Sequence, residues 1–201
     1  MNNDLHWVMH GVAIRKHGSA HDIAAICGLP EARVNEVLTT AAAGGRVVES
    51  EGRYLLSPAG QLILASDYSR FCGPLRANAG FHSAYERFER INVDLKQLIT
   101  DWQTVELGGK RVPNDHADAA YDRRIIDRLG DLHERFEPIL RALVAGAPRL
   151  RVYQDKLMAA LESAEAGDVA AVSDARTDSY HTVWFELHED LLRLMGRQRE
   201  E

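Results

Sequence analysis

The sequence predicts a mainly α-helical protein in two modules: an N-terminal one carrying a small β-hairpin, then an all-α helical bundle. Three observations carry this expectation. Apolar residues recur at three- and four-residue steps over most of the chain, the period of a helix with one buried face. Two short strand-like runs, 46–49 and 53–56, flank the turn candidate Ser50-Glu51-Gly52. Cys72-Gly73-Pro74 then marks a hinge that divides residues 1–70 from 75–201.

The first module is justified element by element. Leu5, Val8, Met9, Val12 and Ala13 have helical spacing that stops at Gly18. Ser19 is a candidate cap for a second helix over 21–27. Gly28-Leu29-Pro30 breaks it, and Pro30 opens a third helix to about Ala43, since proline is tolerated in a first turn. After Gly44-Gly45 come the two strand runs, and Ser57-Pro58-Ala59-Gly60 caps a fourth helix bearing Leu62, Ile63 and Leu64.

Ala24, Gly28 and Val34 carry the tightest constraint. Two helices that cross closely need a small residue in the first, a left-handed backbone at the turn and an apolar residue returning from the second. With a hairpin and a fourth helix after them, these elements make a winged helix-turn-helix. The stretch DIAAICGLPEARVNEVLTTAAAGGRVVESEGRYLLSPAG resembles the winged-helix domains of bacterial MarR- and GntR-type transcriptional regulators. In such a domain the helix from Pro30 to Ala43 enters the DNA groove. Arg33 and Asn35 are the candidates to read base edges, Thr39 and Thr40 to reach phosphates, and Arg53 to enter the minor groove from the wing. Residues 1–70 nonetheless carry one more acid than base, and the whole chain has a formal net charge of −6. That argues mildly against a broad nucleic-acid-binding surface and leaves room for a local basic strip.

In the second module a long helix runs from about Phe81 to Trp102, with Asn92 on its apolar seam. The stretch 107–113 reads as a polar loop, and Asn114 or Asp115 as the cap of the next helix. That helix carries Tyr121, Ile125, Leu129, Leu132, Phe136 and Leu140 inward, with Pro138 expected to kink or divide it. Another helix follows Gly146-Ala147-Pro148, and Asp168 is the expected cap of a last helix reaching about Met195. The last helix is apolar on more than one face, which suits a homodimer and paired DNA half-sites.

Two resemblances bear on this module. LMAALESAEAGDVAAVSDARTDSYHTVWFELHEDLL resembles the closing helices of FadR-type ligand-binding domains of GntR regulators. Many of those hold a metal through three histidines and an acid; His181 has a counterpart in that late motif, and Tyr153 stands where the preceding helix usually places a histidine. INVDLKQLITDWQ, PNDHADAAYDRRIIDRLGDLHERFEPIL and DSYHTVWFELHEDLLRLMGR resemble a C-terminal helical module of actinobacterial proteins related to pyruvate phosphate dikinase.

Asn92, Trp102, Asn114, Asp115, His116, Tyr180, His181 and Trp184 are the residues expected around a small-molecule effector pocket, because aromatic walls with a few polar tips suit such sites. Asp122, His133 and His181 are the candidates for a divalent metal; no other cofactor is expected. Enzyme chemistry is not expected, since no phosphate loop, nucleophile elbow or paired-histidine motif occurs. The two cysteines fit no disulfide framework, and no apolar run nears a membrane span. A cytoplasmic location without membrane attachment follows as the expectation. The function these readings imply is a homodimeric regulator that binds double-stranded DNA and responds to an effector. The alternative is a regulatory or protein-interaction module, not binding DNA, associated with a dikinase-type phosphotransfer enzyme.

Overall fold

Helical periodicity dominates the sequence, and helices dominate the structure, a computed structural model that describes residues 3–198. Two compact units divide the chain. One holds the residues up to Asn78 together with those from Glu186 onward; the other is Ala79–Phe185.

The first unit begins with α1 (Asn3–Arg15), β1 (Gly18–Ser19), α2 (Ala20–Cys27) and α3 (Glu31–Ala43). β2 (Val47–Ser50), β3 (Arg53–Leu56) and α4 (Pro58–Arg76) follow. Ser19 caps α2 through a capping box with Asp22. Partial burial works against ionisation of the Asp22 carboxyl. The Ser19 hydroxyl and backbone N–H, with Arg15, outweigh it and hold that carboxyl down at about 2. Gly28 takes φ +67°, and its N–H bonds the Ala24 carbonyl at 3.0 Å, so α2 ends in a left-handed turn. Ala24 and Val34 are both buried, in one core with Val8, Val12, Ile23 and Leu38.

The antiparallel sheet has the order β1-β3-β2, with Val47 opposite Leu56 and Gly18 opposite Tyr54. The two-residue β1 has no apolar alternation of its own and only pairing to β3 defines it. α4 starts against the turn between α3 and β2: a Cβ on Gly60 would lie 1.9 Å from the Arg46 carbonyl oxygen. Only glycine fits that approach.

The expected hinge at 72–74 is not where the chain turns. α4 continues through Gly73 and Pro74 to Arg76. A proline inside a helix forgoes one N–H bond and crowds a preceding carbonyl, but neither stops the helix here.

The second unit contains α5 (Ala79–Gln103), β4 (Thr104–Leu107), β5 (Lys110–Pro113) and α6 (Ala119–Gly146). α7 (Arg151–Glu165), the short α8 (Ala170–Ser173) and α9 (Tyr180–Met195) complete the helices, with α9 from Glu186 onward belonging to the first unit. The unit is therefore not all-α, as the sequence led us to expect. The presumed loop at 107–113 is part of a hairpin whose turn glycines, Gly108 and Gly109, have φ of +59° and +75°. Paired positive φ values match the twist of a tight hairpin. α6 runs unbroken past Pro138. Its cap is Asp118, which accepts from the Ala120 and Tyr121 N–H groups, rather than Asn114 or Asp115. Asp168 accepts from the Ala170 N–H in the turn that leads into α8, while the last helix starts only at Tyr180.

Candidate functional site

One face of α3 packs inward through Val34, Val37, Leu38 and Ala41. The opposite face, with Asn35, Thr39 and Thr40, is exposed. Helical spacing alone separates these sets, so every expected reading residue of α3 lies off the core. Their hydrogen bonds are local. Arg33 donates from Nε to Asp4 at 2.8 Å and from Nη1 to Glu36 at 2.8 Å. Both carboxylates raise its already high pKa. Thr39 and Thr40 donate back to the Asn35 and Glu36 carbonyls of their own helix. Arg53 donates to the His17 carbonyl at 3.0 Å. Asn35 is exposed on this face.

The expected effector residues separate into two groups along the second unit. Asn114 donates to the Trp102 carbonyl and to Asp122 Oδ1, each at 2.9 Å. His116 Nδ1 faces Asp122 Oδ2 at 2.9 Å, and its ring lies 4.6 Å from that of Trp102. His116 holds φ +57°, an uncommon backbone for a residue with a side chain. A cleft of about 500 Å³ opens beside them, with Asp115 on its wall. The second group is core: Trp184 Nε1 donates to Asn92 Oδ1 at 3.0 Å, and its ring packs on Phe88 and Phe136. Tyr180 meets His133 Nδ1 at 3.0 Å. Burial lowers the pKa of both His133 and His181 and raises that of Tyr180. Asn92, the polar residue on the α5 seam, thus anchors the indole.

The metal candidates are not brought together. Asp122 and His133 are eleven residues apart on α6, about 16 Å along the axis from the helical rise. Asp122 is engaged with Asn114 and His116, His133 with Tyr180. Among the described residues no group of three histidine, cysteine or acidic side chains is placed to hold a metal ion.

Sequence reasoning missed a buried triad in the first unit. His10 on α1 meets Tyr68 of α4 at 2.7 Å through Nδ1 and Asp190 of α9 at 3.0 Å through Nε2. His10 and Asp190 are fully buried. The sequence signal was a histidine between Met9 and Val12 on a helix that buries both neighbours.

No family model, curated protein or solved structure matches the chain. Its chemistry is read from its own residues alone. No helix among those described is long and apolar enough to cross a membrane.

Proposed function

We propose that the first unit is a winged helix that binds double-stranded DNA, and that the chain is a homodimeric, effector-responsive transcriptional regulator. The observation that supports this best is α3: its apolar face is buried, its polar face is exposed, and the left-handed turn at Gly28 orients it against α2. The β2–β3 hairpin follows directly, as a wing does. Asn35 supplies the donor and acceptor pair that suits adenine, and Thr39 and Thr40 have hydroxyls for phosphate. Arg33 reaches DNA only by leaving Asp4 and Glu36, so its contribution to affinity is reduced by the ion pairs it gives up.

The charge of the same surface favours a second reading, a protein-interaction module of a dikinase-type phosphotransfer enzyme. Glu31, Glu36, Glu49 and Glu51 outnumber Arg33 and Arg53 there.

Selection from a random duplex pool, scored by fluorescence anisotropy at about 50 mM salt, separates the two. DNA binding predicts an enriched motif, and Asn35→Ala loses preference at one position by about tenfold, the worth of a bidentate base contact. Its thermal midpoint stays unchanged. Folded protein that retains no duplex at that salt would end the DNA reading.

A further inference from the structure

The first unit contains a cleft of about 910 Å³, within the size range of small-molecule sites. Its apolar wall comes from Val12 of α1, Leu55 and Leu56 of β3, Leu64 and Ala65 of α4, and Leu192 of α9. Its charged lining is one-sided. Lys16, Arg76, Arg193 and Arg197 line it against the carboxylate of Glu189, in a chain whose net charge is −6.

These cations are not equivalent. Arg193 donates to Glu189 at 2.8 Å, which offsets that pair. Arg76 donates to the Leu194 and Arg193 carbonyls at 2.6 and 3.2 Å, capping the negative end of α9. Arg197 makes no ion pair among the described residues. Tyr68 lines the cleft with its hydroxyl held by His10, which Asp190 backs, so this wall is a fixed polar point rather than a mobile one.

We propose that this cleft binds a small amphipathic anion, an organic acid with one carboxylate on an apolar body. The apolar body lies on Leu55, Leu56 and Ala65, above the buried Val12 and Leu64, and the carboxylate meets Arg197 and the cationic rim. Neither part suffices alone: an apolar ligand leaves the Arg197 charge unmatched, and a bare anion leaves the apolar wall uncovered. Because β3 supplies Leu55 and Leu56, an occupant touches the hairpin. Only that regulatory consequence rests on the DNA reading; binding itself does not.

The test is calorimetric titration of the full chain with sodium octanoate, 1-octanol and inorganic phosphate separately, without DNA. Octanoate is expected to bind saturably at one per chain, and octanol and phosphate at least about tenfold more weakly, the worth of one charge-assisted hydrogen bond. Arg197→Gln, at an exposed position, weakens octanoate about tenfold. Ala65→Phe, which fills the cleft from an exposed position, abolishes binding; both variants keep the wild-type thermal midpoint. The proposal is overturned if octanoate does not saturate, if octanol binds as tightly, or if both variants bind like wild type. Co-sedimentation with phosphatidylglycerol vesicles without octanoate binding also overturns it, since the occupant would then be a lipid surface. Failure of DNA retention leaves all these outcomes readable.

Discussion

His10 and Asp190 stand 180 positions apart in sequence and meet at 3.0 Å with no solvent between them. A buried carboxylate is tolerable because a hydrogen-bonded partner faces it. Deleting the imidazole removes a buried partner of that carboxylate. His10→Ala should therefore cost about 3–5 kcal/mol in chemical denaturation, whereas Tyr68→Phe, which loses the hydroxyl's bonds to His10 and Arg193, should cost about 2 kcal/mol. Equal losses would mean that packing, not charge, holds the triad. Nothing in the local pattern announces these partners. A histidine on a buried helix face states that something polar must meet it, and only three converging helices say what. The same holds for Asn92: its place on the α5 seam was legible, and the indole of Trp184 that it anchors was not.

Elements were more legible than contacts, because their signals are local. The Ser19 cap, the left-handed Gly28 turn and the β2–β3 hairpin follow from residues within a few positions of one another. The errors have the same root. Gly108-Gly109 is a hairpin signal as strong as Ser50-Glu51-Gly52, but the polar residues around it hid the strands. Proline 74 and proline 138 suggested breaks, and tertiary packing carried α4 and α6 past both. Gly60 is the sharpest case of a local residue with a non-local reason. Gly60→Ala should destabilise the first unit by about 3 kcal/mol, since its Cβ would meet backbone rather than a yielding side chain. A shift in the denaturation midpoint measures it. Gly52→Ala, with open space at its Cβ but φ +73°, should cost only about 1 kcal/mol.

At the scale of the molecule, charge governs what the chain can hold. If the first module binds DNA as proposed, its slight excess of acid limits it to few phosphate contacts. With about two contacts per protomer, a DNA-bound dimer should show a slope of log affinity against log salt of about −4, or roughly a 200-fold loss between about 50 and 200 mM. Anisotropy titrations across that range give the slope. A value near −10 would require a basic surface this chain does not have. Against that acidic background, the cation-rich cleft of the first unit is the exception, and its residues come from α1, β3, α4 and the far end of α9.

By itself, the sequence determined the helical periods, the Ser19 and Ser57 caps, the β2–β3 turn and the exposed polar face of α3, because each depends on neighbours within one or two turns. Tertiary structure alone decided that the end of α9 joins the first unit, that Asp122 and His133 serve different partners, and that four cations gather around one cleft. Those outcomes depend on which distant segments pack together, and packing is set by the shape of whole faces rather than by spacing along the chain.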